Sequence, residues 1–338
     1  MIPVPRMLFS KTLLLLTSAC LLMATGCGLP NVKLFPDAAD PLQQCVLQGE
    51  GPDKIALLNI NGVISDKTET DIMSREHPSL LQEIMARMDV AENDPAVKAL
   101  VLKINSPGGT ITASDIIYNR LMAYKQATGN PIVVSMMDVA ASGGYYVALP
   151  ADRILAHPTT VTGSVGVIFM RPKVYDLMDK IGLGVSVRTS GRNKDMGSPF
   201  REITGEEAAI FKEMITGMGD RFVEKVKQHR QPAPADLERI ATARIFTAAG
   251  ALEAELIDQI GYLEEALAEA RYLAGLADDA SVITYRRTRY SNDTIYNTLS
   301  SRSQGVRPSL VNIDLLSDLP GFRSGFYYLW WPPAGAGQ

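Results

Sequence analysis

The sequence predicts an α/β fold built on a mostly parallel β-sheet. Three apolar runs of strand length (55–60, 99–104 and 131–136) alternate with two segments of helical periodicity (78–90 and 114–126). Parallel strands need a long crossover connection, usually a helix. This alternation therefore indicates βαβ units with helices flanking the sheet.

The predicted strands are short and end at turns. Asn61-Gly62 follows the first strand, Ser106-Pro-Gly-Gly109 follows the second, and Arg153–Ala156 is a fourth strand. The helix over 78–90 is predicted because its apolar residues fall on one face. These residues are Leu80, Leu81, Ile84, Met85 and Met88.

The second half of the chain is predicted to be mainly helical. Thr204 and Glu207 have the spacing of a capping box, so a long helix begins there and runs towards His229. Further helices are predicted over 248–254 and 263–274. After about Asp278 the periodicity fades, and aromatic side chains are concentrated over 325–333.

Composition indicates a globular protein and excludes several functions. Of 338 residues, 46% are hydrophobic and 21% charged, which argues against a disordered chain. The net charge of −4 leaves no basic excess to neutralise phosphates, so no nucleic-acid partner is expected. Three cysteines and three histidines, without a CxxC or HExxH motif, predict neither a disulfide framework nor a zinc site.

The first 27 residues have the pattern of a secretory signal. Arg6 and Lys11 precede an apolar run over 12–25, which is shorter than the roughly 20 residues of a membrane-spanning helix. The run ends in Ala24-Thr-Gly-Cys27, which resembles a bacterial lipobox and implies lipidation of Cys27. An uncleaved membrane anchor is the alternative. Cys20 fits lipidation less well, because the apolar run before it is short.

We therefore expect four segments along the chain. Residues 1–26 are a lipoprotein-type signal peptide, 27–52 a tether, 53–277 the main domain and 278–338 an extension with an aromatic tail. Acylation of Cys27 leaves Cys45 without a partner, so Cys45 is interpreted as an inert thiol.

Three glycine-containing segments follow predicted strands, at 105–109, 138–146 and 162–166. In α/β sheets, functional groups collect beyond the carboxyl ends of the strands. Ser142 precedes two glycines at a predicted helix start, where free N–H groups face developing negative charge. Taken singly, the first segment fits an ordinary turn and Ser142 an ordinary helix cap. Their order and spacing together are more specific.

These motifs resemble those of the signal peptide peptidase A proteases, membrane-associated serine proteases with a crotonase/Clp-type α/β fold. The resemblance extends from about Lys54 to Ala274, and the length fits the short, single-core form of the family. The matching segments are Asn105–Gly109, Ala141–Tyr146, Thr162–Ile168, Gly191–Asp195, Arg244–Gly250 and Leu256–Gly261.

The resemblance implies a role for individual residues. Ser142 is the nucleophile, Lys194 is the general base, and Ser164 orients the lysine amine. The N–H groups of Gly109 and Gly143 form the oxyanion hole, and no cofactor or metal is required. Ser-Lys pairs are a known variant of the catalytic triad, in which the lysine must be desolvated to act as a base. On its own segment, Lys194 would be interpreted as a solvated loop residue.

The family resemblance implies a serine endopeptidase that cleaves remnant signal peptides and other unfolded hydrophobic peptides. It would be a lipoprotein anchored through Cys27 in a bacterial cell envelope, facing the periplasm or the exterior. Tyr145, Tyr146 and residues near Ile111 are expected to line its substrate groove. Because short-form members form rings, we expect a homo-oligomer in which Ser142 of one subunit meets Lys194 of the next.

Two other functions are consistent with parts of the sequence. A different crotonase-fold enzyme could use the same paired N–H groups on an acyl thioester, although an exported chain would not meet cytoplasmic coenzyme A. A membrane scaffold that holds peptides without cutting them is the non-enzymatic alternative, and intact Ser142 and Lys194 argue against it.

Overall fold

A mixed, mostly parallel β-sheet forms the centre of the computed structural model. The structure describes residues 40–70, 76–290, 292–297 and 325–330, all within one folded unit, Ala38–Gln338. The strands in these residues are β1 (Gln43–Gln48), β2 (Gly51–Asn61), β3 (Glu69–Thr70), β4 (Glu76–His77), β5 (Val97–Ser106), β6 (Gly108–Thr110), β7 (Ile132–Ala141), β8 (Arg153–Ala156), β9 (Val161–Gly163), β10 (Ile168–Met170), β11 (Ile245–Thr247), β12 (Gln259–Ile260), β13 (Ala280–Arg286) and β14 (Gly325–Leu329). The helices are α1 (Leu80–Glu92), α2 (Ile111–Thr128), α3 (Gly143–Tyr146), α4 (Tyr175–Lys180), α5 (Gly205–Arg230), α6 (Pro234–Ala241), α7 (Ala248–Glu253) and α8 (Leu263–Ala274).

The sheet topology confirms the predicted α/β class. The large sheet has the order β1-β13-β2-β5-β7-β8-β12, and β9 pairs with both β7 and β11. β2, β5, β7 and β8 are parallel neighbours. Both faces of these strands are covered: Leu100 and Leu102 of β5 pack in one apolar cluster, and Ala99 and Val101 pack in another. Burial on both faces explains the continuous apolar runs in the sequence.

Local sequence explains where the helices begin and end. Ser79 caps α1 and Thr204 caps α5, each in a capping box that satisfies two backbone N–H groups. α2 ends at Gly129, whose φ of 69° is readily adopted by glycine. The strand predicted over 131–136 continues as far as Ala141, so that it ends directly before Ser142.

The sheet extends beyond the predicted main domain at both ends. β1 lies in the predicted tether and β13 in the predicted extension, and the two strands pair antiparallel. β1 has mostly exposed side chains, so backbone pairing rather than an apolar pattern holds it in the sheet. β13 is buried along its length, although Thr284 and Arg286 interrupt its apolar character.

The predictions for the signal peptide and for Cys27 lie outside the described residues. Within the described part of the chain, no helix has the length and apolar character needed to span a bilayer. Cys45 is a free, buried thiol in that part.

Candidate active site

Ser142 lies in a sharp turn between β7 and α3. Its backbone has φ 53° and ψ −117°, and its N–H donates to the carbonyl of Gly163 at 2.7 Å. The side chain is only 1% exposed, and Oγ has no hydrogen-bond partner among the described residues. Strained backbone and unpaired buried polar atoms are rare in folded proteins and are often functional. Ser142 is therefore a candidate nucleophile on structural grounds alone.

Glycines surround Ser142 because the backbone segments approach very closely. A Cβ atom on Gly109 would lie 1.9 Å from the carbonyl oxygen of Ile64, and one on Gly143 would lie 3.1 Å from Cα of Gly108. Gly108 also has a φ of 101°, which L side chains rarely adopt. The structure thus brings the two predicted oxyanion residues, Gly109 and Gly143, to the same place.

The orientation of the two N–H groups follows from their neighbours. Ile64 donates to the carbonyl of Gly108 at 2.8 Å and accepts from Thr110 at 2.9 Å. Because successive residues of a strand point to opposite edges, the N–H of Gly109 faces away from Ile64. Gly143 is the first residue of α3, so its N–H has no partner within the helix. Two such donors could stabilise the oxyanion of a tetrahedral intermediate.

Ser164 lies beside Ser142. β9 pairs in parallel with the end of β7, with Gly163 opposite Ala141, so each serine directly follows a paired residue. Ser164 has a φ of 53°, its N–H donates to the carbonyl of Arg244 at 2.8 Å, and its side chain is nearly buried. Ser164 is therefore adjacent to the candidate nucleophile within a single chain, and its orientation of the Lys194 amine stays a prediction.

Lys194, in contrast, makes no hydrogen bond to Ser142. It lies in an exposed loop, where its N–H donates to the carbonyl of Gly191 at 3.1 Å. Its side chain makes no hydrogen bond or ion pair with the part of the chain that the structure describes. The next residue, Asp195, is held by Arg201, which also pairs with Glu207. The loop is thus anchored, but its lysine does not meet the serine hydroxyl within this chain.

The prediction that Tyr145 lines a substrate groove is wrong, whereas the ring of Tyr146 stacks on that of Tyr328 in β14, with centroids 5.2 Å apart. Both side chains are fully buried, because the turn at Ser142 directs the following helix into the core. The hydroxyl of Tyr145 donates to the carbonyl of Leu256 at 2.8 Å, and that of Tyr146 donates to Asp115 at 2.7 Å. Burial raises the pKa of both tyrosines, so they remain neutral donors.

A second lysine of chemical interest, Lys103, was not predicted. It lies on β5 and is 4% exposed, and Nζ donates to the carbonyl of Ile295 at 2.7 Å. Burial, together with the charge of Arg286, lowers the pKa of Lys103 to about 8. A cavity beside it is lined by Asn59, Asn61, Asn105, Met137, Asp138 and Tyr296. The signal in the sequence was a lysine inside an otherwise apolar run, Ala99–Ile104.

The described residues offer no candidate metal centre. No group of three or more histidine, cysteine, aspartate or glutamate side chains in those residues is arranged to hold a metal ion. The chemistry available near Ser142 is that of hydroxyl groups and backbone N–H groups, an arrangement suited to acyl transfer.

Comparison with known proteins places this chain in a family. The model of Peptidase family S49 matches residues 124–277, and that of Clp protease matches residues 56–165, in agreement with the predicted Clp-type fold. A protein of Enterococcus faecium named as a signal peptide peptidase SppA is 35% identical over 262 residues, which cover 78% of this chain and 74% of that protein.

Two further relatives support the same family assignment. Protease 4 of Haemophilus influenzae is 32% identical over 290 residues, which cover 84% of this chain but only 46% of that longer protein. A protein of Methanocaldococcus jannaschii named as a protease is 31% identical over 267 residues, which cover 79% of this chain and 80% of that protein. The predicted family and the predicted enzyme class, a serine peptidase, are thereby confirmed. The chain belongs to Peptidase family S49, the signal peptide peptidase A family of serine proteases.

Proposed function

We propose that this chain is a membrane-associated endopeptidase that uses Ser142 as its nucleophile and Lys194 as its general base. The observation that carries the proposal is the buried Oγ of Ser142, which has no hydrogen-bond partner among the described residues. A buried polar group without a partner costs about 1–3 kcal/mol. A site that is completed by a base and a substrate from outside the single chain accounts for that cost.

The proposed reaction is an acyl transfer in two steps. Oγ of Ser142 attacks the peptide carbonyl carbon while the neutral amine of Lys194 takes the hydroxyl proton. The N–H groups of Gly109 and Gly143 bind the resulting oxyanion. The C–N bond then breaks, and the lysine returns its proton to the leaving amine. Water hydrolyses the acyl-enzyme ester by the same route, which releases the acid and restores Ser142.

The base comes from a neighbouring subunit in this proposal. A lysine exposed to water is protonated at neutral pH, so Lys194 must be desolvated to act. The region around its loop exposes large apolar side chains that a subunit interface would cover. The most exposed of these are Leu177, Ile181, Leu183 and Val185, each at least half exposed.

A mixing experiment tests the shared site. Ser142→Ala and Lys194→Ala proteins are each expected to be inactive, and subunit exchange between them should restore part of the activity. The matched control mixes Ser142→Ala with Lys212→Ala, which alters an exposed lysine on α5 and should retain its own activity throughout. Verified exchange without recovery would show that each site is contained within one chain.

The proposed substrates are remnant signal peptides and other unfolded, hydrophobic peptides. The name of the relative from E. faecium, a signal peptide peptidase, supports this choice, and an extended peptide can be held as an added strand. A fluorophosphonate probe should label the wild type and leave Ser142→Ala unlabelled. Failure to label any assembled sample would favour a scaffold that holds peptides without cutting them.

Attachment to the membrane is proposed to occur through Cys27, after removal of residues 1–26, with the enzyme facing the periplasm or the cell exterior. Cys27→Ser should leave an unprocessed precursor without lipid, because the thiol is the acyl acceptor. Cys20→Ser serves as the control and should be processed normally. A Cys27→Ser protein of unchanged size and unchanged lipid labelling would favour an uncleaved anchor instead.

A further inference from the structure

Ser106 lies between the two segments that carry the candidate oxyanion donors. It is the last residue of β5 and is fully buried. Its hydroxyl donates to the carbonyl of Gly62 at 2.7 Å and accepts from the N–H of Gly108 at 3.1 Å. Serine hydroxyls often satisfy a backbone N–H two residues later in a turn. Here one hydroxyl joins the loop after β2 to the residue that precedes Gly109.

The peptide unit between Gly108 and Gly109 contains the first donor. Because a trans peptide is planar, the carbonyl of Gly108 and the N–H of Gly109 point in opposite directions. The N–H of Ile64 donates to that carbonyl at 2.8 Å and so fixes the direction of the donor. The hydroxyl of Ser106 supports this unit in two ways. It holds the N–H of Gly108 directly, and through Gly62 it holds the loop that contains Ile64.

The backbone of Ser106 contacts the segment of the second donor. A Cβ atom on Gly144 would lie 2.6 Å from the carbonyl oxygen of Ser106, so the two backbones approach more closely than a residue with a Cβ would allow. Gly144 directly follows Gly143, whose N–H is the second candidate donor. Ser106 therefore contacts both segments, one through its hydroxyl and the other through its carbonyl oxygen.

We infer that Ser106 is a positioning residue, which sets the separation of the N–H groups of Gly109 and Gly143. The inference rests on the proposed function, in which these two groups bind the oxyanion. Such donors act only within about 2.7–3.1 Å of the oxygen that develops charge, so a small displacement weakens them. Loss of the Ser106 hydroxyl leaves the N–H of Gly108 and the carbonyl of Gly62 without this partner, and Gly109 can then move relative to Gly143.

Ser106→Ala tests the inference, and Ser281→Ala is the matched control. The hydroxyl of Ser281 is also buried and also donates to a glycine carbonyl, that of Gly51, at 2.7 Å. Ser281 lies on β13, which β2 and β5 separate from β7 in the sheet. The two variants thus lose a hydrogen bond of the same kind and length, one near the site and one away from it. Both should remain folded, with unfolding temperatures lowered by about 2–5 °C.

The kinetic effect should fall on kcat. Complete removal of one oxyanion donor costs about 10²–10³-fold in kcat, and a displaced donor should cost less. Ser106→Ala should therefore lower kcat about 10–100-fold and change KM by less than about twofold, because the donors act mainly on the transition state. Ser281→Ala should keep both constants within about twofold of the wild-type values.

A peptide aldehyde reports on the oxyanion separately from peptide binding. Oγ of Ser142 adds to the aldehyde carbon while its proton moves to the base, and the aldehyde oxygen becomes an oxyanion at the two N–H groups. Ser106→Ala should weaken inhibition by a hydrophobic peptide aldehyde by the same factor by which it lowers kcat/KM. The corresponding peptide alcohol has no carbonyl carbon to attack, so it should bind the variant and the wild type equally.

The outcomes separate this inference from the proposed function. If the wild type hydrolyses peptides, then equal kcat values for Ser106→Ala and Ser281→Ala, or equal weakening of the aldehyde and the alcohol, would overturn the inference alone. A wild type that neither hydrolyses peptides nor reacts with the fluorophosphonate probe at Ser142 would refute the proposed function, and the inference with it. A selective loss of kcat and of aldehyde binding in Ser106→Ala supports both.

Discussion

Ser142 and Ser164 occupy equivalent positions at the ends of two paired strands. Their preceding residues, Ala141 and Gly163, are opposite each other in β7 and β9, and both serines have a φ of 53°. Such a backbone costs about 1–3 kcal/mol per residue outside glycine and persists only where its surroundings impose it. The N–H of Ser142, bonded to the carbonyl of Gly163 at 2.7 Å, links the two turns. This pairing places the two serines side by side at the carboxyl ends of β7 and β9.

The first prediction concerns these two hydroxyl groups. Ser142→Ala should lower peptide hydrolysis by at least about 10³-fold, because the nucleophile is lost. Ser164→Ala should lower kcat while leaving measurable activity, because only the orientation of the base is lost. Both proteins should unfold at close to the wild-type temperature. Steady-state kinetics and thermal unfolding check this, and equal activity of Ser142→Ala and wild type would eliminate Ser142 as the nucleophile.

The second prediction compares two glycines. Gly109→Ala should inactivate the enzyme, because its Cβ would lie 1.9 Å from the carbonyl oxygen of Ile64 and would displace the N–H assigned to the oxyanion. Gly129→Ala, at the end of α2, has no atom within 4 Å of the new Cβ. It should cost only about 1–2 kcal/mol of stability for its positive φ and leave kcat unchanged. Comparable losses of activity in both variants would contradict the role of Gly109.

The third prediction concerns the anchor of the Lys194 loop. Arg201 donates to both carboxylate oxygens of Asp195, at 2.8 and 2.9 Å, and also pairs with Glu207 at the start of α5. Arg201→Gln should release the loop and lower kcat about 10–100-fold, because a base displaced by about 1 Å is ineffective.

Arg192→Ala is the matched control for Arg201→Gln. Arg192 lies in the same loop and pairs with Glu206, but its side chain is 81% exposed, so its removal should change kcat little. Subunit assembly should be measured for both proteins. A loss of kcat that is equal in the two variants would mean that Arg201 does not position the loop specifically.

The central part of the fold could be predicted because it is encoded locally. β2, β5 and β7 are apolar on both faces, and the turns after them carry the glycines that close backbone contacts require. β1 and β14 could not be predicted in this way. Their positions depend on pairing with strands far away in the sequence, which side-chain periodicity does not report.

The residues of the candidate site also differ in whether their positions could be predicted from the local sequence. Ser142 and the glycines follow directly from the motif, because the turn that displays them is built from adjacent residues. The direction of Tyr145 and Tyr146 depends on how α3 enters the core, and both point inward. The position of Lys194 relative to Ser142 depends on the path of a long loop, and its meeting with the serine stays a prediction.

The last prediction is a pH dependence of stability caused by Lys103. Burial lowers the pKa of Lys103 to about 8 in the folded chain, against an ordinary lysine value of about 10.4 in the unfolded chain. Between these values the unfolded state binds more protons, so the free energy of unfolding rises with pH. Relative to Lys103→Met, the wild type should gain about 2 kcal/mol in its free energy of unfolding when the pH is raised from about 7.5 to about 9.5. Lys98→Met, at an exposed position on the same strand, provides the control and should show no such slope. Denaturant unfolding at the two pH values measures the effect, and a pH-independent difference for Lys103→Met would mean that this lysine is not desolvated in the folded protein.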